Sequence, residues 1–520
     1  MKIISRLGLS LFLVGFGIWV YTLTMNEFLL TSAILEKNIK PEHQSTLGAR
    51  LQPMLNKTYS NSWAFVYDFD KTLNDLNAEY KAAQQWDKVI YDEYSFSISK
   101  AAALGPLKQQ PLLWFFLTFG LAALGALLYF LPDLRKLAGI KNDGIFQSPA
   151  TGRGWIGWTM GTFLITFYIF LYYFPQYLVN WTMLVDPISK VLNGGEASRW
   201  FLYGTLYTVC VVVMGIRMLI KYRHSRYQQV RTASVMFFQT AVAFIIPEIL
   251  VSLNKPYYDF KNIWPLDYDF FFDYNLNSLI QSGGLGIFML VWGIVLFLIG
   301  VPVMTYFFGK RWYCSWVCGC GGLAETLGDP FRQLSDKSMK AWKIERYLIH
   351  GVLAFAIVMT VMVLYSYFTG ASHILFIDSY SVRSAYGFWI GSIFAGVVGT
   401  GFYPLMGNRV WCRFGCPLAA YLGMWQRAKS RFRITTNGGQ CISCGNCSTY
   451  CEMGIDVRAY AQRGQDIVRS SCVGCGVCSA VCPRGVLNLE NAEEGSRVMI
   501  APEFMLGNEM VTQKQPFQNP

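Results

Sequence analysis

Residues 441–451 read CISCGNCSTYC and residues 472–483 read CVGCGVCSAVCP. Cys441, Cys444, Cys447 and Cys451 follow C-x2-C-x2-C-x3-C, and Cys472, Cys475, Cys478 and Cys482 repeat it, with Pro483 directly after. Thiolates at this spacing wrap cubane iron–sulfur clusters, and two complete runs call for two [4Fe–4S] clusters. Structural zinc would ask for four ligands, commonly as two C-x-x-C pairs, and leaves the second run unexplained. Disulfides do not suit a segment on the cytoplasmic side, where thiols stay reduced. The small residues between the ligands (Gly445, Ser448, Gly474, Gly476, Ser479) let backbone N–H groups come close to the cluster sulfides.

In two-cluster ferredoxins the fourth cysteine of each run serves the other cluster. The expected ligand sets are therefore Cys441, Cys444, Cys447 and Cys482 for cluster one, and Cys472, Cys475, Cys478 and Cys451 for cluster two. One residue departs from the pattern. Cys451 is followed by Glu452, where the full motif has a proline that shapes the turn and binds nothing.

Outward from these runs the composition changes class. The 520 residues are 53% hydrophobic, 16% aromatic and only 15% charged, against about 25% charged in soluble domains. Eight segments have the length and apolarity of a membrane span: Leu7–Leu23, Pro111–Leu131, Trp155–Tyr173, Phe201–Ile220, Ser234–Leu253, Gly284–Phe307, Tyr347–Phe368 and Gly387–Met406. Lys2 and Arg6 precede the first, and no small-x-small cleavage site follows it, so it reads as an uncleaved span rather than a signal peptide. The net charge of +12 gathers in alternate loops, including Arg135, Lys141, Arg231, Arg332 and Arg409. The positive-inside rule then places those loops and both termini in the cytoplasm, as in a bacterial inner membrane. The expected fold is an α-helical polytopic membrane protein of about eight transmembrane helices, with a C-terminal cytoplasmic α+β two-cluster ferredoxin-like domain. Its parts are a first span (1–25), an outer-face helical domain (26–110), spans two to five (111–282), spans six to eight (283–434), the dicluster module (435–490) and a tail (491–520).

The sixth span ends in Gly309-Lys-Arg311-Trp-Tyr-Cys314 with Cys318 following, and the eighth in Gly407-Asn-Arg409-Val-Trp-Cys412 with Cys416 and Pro417 following. Both fit G-x-R-x-x-C-x3-C. On a helix, C-x3-C places two thiols on one face about a turn apart. Two such pairs form a candidate four-thiolate site at the membrane edge, with Cys320 as a fifth thiol. Soft thiolates select iron–sulfur clusters, zinc or Cu(I); the alternative is that they only shape helix ends.

Other chemistry finds little support. The four histidines, His43, His224, His350 and His373, offer no facing pair for a haem. No phosphate loop, nicotinamide fingerprint or nucleophile–base set occurs, and nothing points to nucleic acid. A quinone headgroup suits the aromatic, arginine-rich membrane edges, without a location. Residues 26–110 contain no cysteine.

Repeated C-x3-C motifs after spans, followed by a two-cluster module, resemble the membrane polyferredoxin superfamily. It includes the quinol-dehydrogenase type that serves periplasmic nitrate reductase, the nitrous-oxide reductase regulator family and the cytochrome oxidase accessory protein family. The likeness covers roughly 284–489. It implies electron transfer between cytoplasmic donors or the quinone pool and a membrane or outer-face redox partner, either a multi-subunit respiratory complex or an outer-face reductase. The alternative it implies is a maturation or regulatory factor that reduces or delivers a metal such as copper. Gly319 and Cys320 stand where the family has proline after the first pair. Residues 26–110 show no flavinylation motif, so no covalent flavin is expected, and no C-terminal β-sandwich fits after Glu490.

Overall fold

The computed structural model describes residues 2–136, 138, 151–374 and 376–491, with the backbone of 503–506 and 509–512. Seven helices among these are long and apolar enough to cross a membrane: Lys2–Thr24, Pro111–Arg135, Trp155–Tyr173, Arg199–Lys221, Arg226–Ser252, Gly283–Phe308 and Met339–Thr369. They match the first seven expected spans to within a few residues, except that the fifth and seventh start earlier. The eighth, Gly387–Met406, is helical in pieces. Gly387–Val398 winds as a π-helix, Gly399–Gly401 continues it, and Tyr403–Met406 is a separate turn. Gly387, Gly391, Gly396, Gly399 and Gly401 weaken its helical order and favour irregular winding.

The chain divides into two compact units. The first comprises Met1–Leu137, Thr162–Lys221 and Gln239–Asp259. Here Lys2–Thr24 lies against Pro111–Arg135 through glycines: a Cβ on Gly125 would stand 2.3 Å from Phe12 N, and one on Gly8 2.5 Å from Tyr129 N. Small residues allow such backbone approach where no water drives association. Between these two spans, helices Pro41–Leu51, Ser62–Ala82 and Tyr94–Ala102 surround a three-stranded antiparallel sheet of Glu27–Leu29, Thr58–Tyr59 and Ala103–Leu104. Phe28, Leu47, Phe65, Phe69 and Ile98 are fully buried in its core.

The second unit comprises Ala138–Gly161, Tyr222–Phe238 and Phe260–Pro520. Its spans expose Val291, Leu298, Ile299, Val358 and Val361, as a lipid-facing surface does. The two cysteine runs lie between antiparallel strands Phe432–Thr436 and Leu487–Asn491, registered Phe432 to Asn491 and Thr436 to Leu487. Short helices Asn446–Thr449, Val457–Gln462 and Val477–Ala480 fill the interval. The expected tail, 491–520, falls outside the described residues apart from Asn491 and the strand pair Glu503–Leu506 with Glu509–Thr512.

Candidate iron–sulfur centres

The two cysteine runs repeat in backbone conformation as well as spacing. Ser443 and Gly474 (φ 58° and 60°) precede the second cysteine, Gly445 and Gly476 (80° and 74°) follow it, and Gly454 and Gly485 (67° and 62°) follow the fourth. These left-handed turns tip the chain around a central space and suit glycine; Ser443 is the one matched position that adopts the conformation with a side chain. Ile455 N donates to Cys451 Sγ and Val486 N to Cys482 Sγ, both at 3.4 Å. Cys447 is surrounded by Cys482, Cys444 and Cys441. Cys478 is surrounded by Cys472, Cys451 and Cys447. Each fourth cysteine thus neighbours thiols of the opposite run.

Burial pushes the Cys447 and Cys472 thiols up to about 11 and those of Cys475 and Cys478 well above the ordinary range. Left alone they hold their protons, and a soft metal must displace them.

The cysteine pairs also repeat in three dimensions, but not on single helices as the spacing suggests. Gly309 (φ 65°, ψ 176°) ends Val301–Phe308, and Gly407 (φ 95°, ψ 170°) ends Tyr403–Met406. This region of backbone space is open essentially to glycine alone. Each glycine reverses the chain into a short turn carrying the first cysteine, Arg311–Cys314 or Trp411–Gly415. Each second cysteine then stands at the N-cap of the next helix, Cys318 before Gly319–Thr326 and Cys416 before Pro417–Lys429. The C-x3-C step therefore bridges a helix break.

All four thiols are buried, at 6–7% exposure. They converge: Cys416 faces Cys412, Cys318 and Cys314, and Cys314 faces Cys318 and Cys412. Cys320 lies beside Cys318 and holds that thiol below its ordinary range. Around a single tetrahedral zinc, sulfurs would sit about 3.8 Å apart. Among the described residues no group of three or more cysteines has its sulfurs mutually within 4.8 Å. The donor set is soft, of the kind that takes iron–sulfur clusters, zinc or Cu(I).

A feature absent from the sequence reading lies beside both thiol groups. Arg231, Arg332 and Arg409 are buried with Glu325, Asp329 and Glu452, each at 2% exposure or less. Glu325 pairs with all three arginines, and Glu452 with Arg332 and Arg409. Burial opposes ionisation of Glu325, yet Arg231, Arg409 and Arg332 hold its carboxyl well below the usual range. Glu452 occupies the position where the full motif has proline, so the departure at that site is the one visible sequence signal. The other members read as ordinary loop charges.

On another side of Cys412 a cavity of about 440 Å³ is lined by Lys310, Trp342, Glu345, Tyr347, His350 and Arg413, among others. Tyr347 is shared with an apolar groove of about 550 Å³ along Ile344, Leu348, Val352 and Phe355.

A family model described as "4Fe-4S binding domain" matches residues 290–338 and again 386–435, the two segments bearing the cysteine pairs. A second, described as "4Fe-4S dicluster domain", matches 433–483. The "Putative electron transport protein YccM" of Escherichia coli (strain K12) is 26% identical over 154 residues, covering 28% of this chain. The chain spans 43% of the length of that relative. No solved structure matches. The chain carries iron–sulfur binding domains joined to a multi-pass helical body.

Proposed function

We propose that this protein is a membrane-bound electron carrier of the bacterial inner membrane, with both termini cytoplasmic. Two [4Fe–4S] clusters belong to the dicluster module, on the ligand sets Cys441/Cys444/Cys447/Cys482 and Cys472/Cys475/Cys478/Cys451. A further iron–sulfur centre belongs to Cys314, Cys318, Cys412 and Cys416. The observation that carries this reading is the convergence of two cysteine pairs, distant in sequence, into one buried group. The match of one 4Fe–4S family model to both segments supports it. Clusters, once bound, supply one-electron redox chemistry.

The chain's own residues do the rest. The thiols hold the centres; burial keeps water from Cys314, Cys318, Cys412, Cys416, Cys447, Cys472 and Cys478, whereas Cys444 is exposed. The cavity beside Cys412 suits a quinone ring, and the adjoining groove suits its apolar tail. Arg413 is held by Glu345 at 2.7 Å. His350 Nδ1 lies 2.6 Å from the Arg346 carbonyl, so it donates there and leaves Nε2 to accept a proton from a quinol. Electrons pass between the quinone pool or a cytoplasmic donor and a membrane or outer-face redox partner.

Anaerobic addition of a reduced short-chain quinol to the oxidised protein tests this. The expected result is visible bleaching of the clusters, slowed by Trp342→Ala. Absence of any reduction by quinols refutes the quinone route. Stoichiometric Cu(I) uptake by the cysteine pairs, without iron, replaces it with metal delivery.

A further inference from the structure

Taking six ionised groups out of water is costly, and well-placed pairs only repay the cost. As a stabilising device the buried Arg231–Arg332–Arg409 and Glu325–Asp329–Glu452 group is no better than apolar packing. Its placement is what distinguishes it. Arg332 Nη1 stands 4.0 Å from Cys475 Sγ and 2.9 Å from Glu452 Oε2. Arg409 Nη1 stands 3.6 Å from Cys412 Sγ and 3.2 Å from the Cys314 carbonyl, while its Nη2 reaches Glu325 at 2.6 Å and Glu452 at 3.0 Å. Glu325 and Glu452 therefore each bridge these two arginines. One arginine touches a sulfur of the dicluster module, and the other touches a sulfur of the cysteine-pair group. Glu325, Glu452 and Cys475 Sγ lie within 4.8 Å of one another.

Hydrogen bonds to sulfur and local net charge set cluster potentials. A guanidinium against a thiolate favours the reduced, more negative state, and a carboxylate at the same distance opposes it. We propose that this charge-balanced cage links the potentials of the dicluster module and the cysteine-pair centre. Arg332 and Arg409 act as positioning residues, and Glu452 limits how much of their charge reaches the sulfurs. The proposal rests on the iron–sulfur reading of both sites. It explains why a buried carboxylate occupies a position that the motif gives to proline.

The test is a redox titration of the full-length protein, followed by EPR, with iron measured on every sample. Glu452→Gln should make reduction at the Cys475 centre at least tenfold more favourable, equivalent to 59 mV for one electron. Glu452→Pro should move it the same way. Arg332→Gln should move it at least tenfold the other way, Arg332→Lys should stay near wild type, and the Arg332→Gln/Glu452→Gln pair should return towards it. If Arg332→Gln fails to accumulate, the two Glu452 variants decide alone. Unchanged potentials at wild-type iron content, or shifts of the same sign in the glutamate and arginine variants, overturn the proposal. A wild-type protein without iron at the cysteine pairs fails the underlying reading instead, and the iron assay separates the two.

Discussion

Arg311 and Arg409 hold the same place in the repeated G-x-R-x-x-C-x3-C motif, yet their surroundings differ enough to predict unequal costs of removal. Arg409 is 1% exposed, paired with Glu325 at 2.6 Å and Glu452 at 3.0 Å. Arg409→Leu strands part of that negative charge in the interior, and breaking a buried pair from one side costs about 3–5 kcal/mol. Arg311 donates to Asn491 at 2.8 Å and to the Phe308 carbonyl at 3.1 Å in exposed hydrogen bonds, and its guanidinium carbon lies 4.4 Å from the Phe432 ring centre and 5.8 Å from that of Tyr227. Exposed hydrogen bonds cost about 0.5 kcal/mol each to lose and exposed ring contacts about 0.5 kcal/mol each, and no buried charge is left behind, so Arg311→Leu should cost about 2 kcal/mol. Denaturant titration of the detergent-solubilised protein, followed by tryptophan fluorescence, reads both variants under one condition. Arg409→Leu should unfold at clearly lower denaturant. In a Glu452→Gln background its penalty should shrink, because the two residues share an interaction. Equal penalties for the two arginines, or a penalty unchanged by Glu452→Gln, would refute the buried-pair reasoning.

Other outcomes follow from the same geometry. Cys475→Ser should lose about one cubane's worth of iron, four atoms, while the protein still inserts into the membrane; elemental analysis of the membrane fraction checks both. Gly407→Ala should destabilise by about 3 kcal/mol or more, combining a backbone conformation hostile to side chains with a Cβ 2.4 Å from Ser335 Oγ. Gly351→Ala, with nothing within 4 Å of its new Cβ, should stay within about 1 kcal/mol of wild type, and the same denaturation assay compares them. The three arginines depress the Glu325 carboxyl in the folded protein. Its stabilising contribution is therefore present above the unfolded value of about 4.3 and fades as pH falls below it. The stability gap between wild type and Glu325→Gln should narrow on acidification, which unfolding midpoints across the pH range will show.

Much of this architecture was legible because its signals are local. The two cysteine runs are marked by residue type and short spacing, and the left-handed turns at Gly445 and Gly476 fall at matching places within them. Seven spans are visible as apolar runs of sufficient length. The eighth was legible as an apolar stretch but not as a broken helix, since glycine content weakens helical order without lowering a segment's apolarity much. The C-x3-C pairs were recognisable as a repeat. Their placement across a helix break was not, because helical spacing alone does not register the conformation that Gly309 and Gly407 impose. The arginine–carboxylate cage was hidden for a different reason. Arg231, Glu325, Arg332, Arg409 and Glu452 are scattered along more than two hundred residues of chain, and in sequence its arginines look like the basic loops of any polytopic membrane protein. Only tertiary structure turns those loop charges into a buried, balanced group.

Iron and acid-labile sulfide per chain, measured on anaerobically purified protein together with reduced-state EPR, bear most directly on a third centre beside the dicluster module. Three cubanes predict about twelve irons per chain, falling by about four in Cys412→Ser while the two dicluster signals persist. A value of about eight in both wild type and Cys412→Ser would contradict an iron–sulfur role for Cys314, Cys318, Cys412 and Cys416.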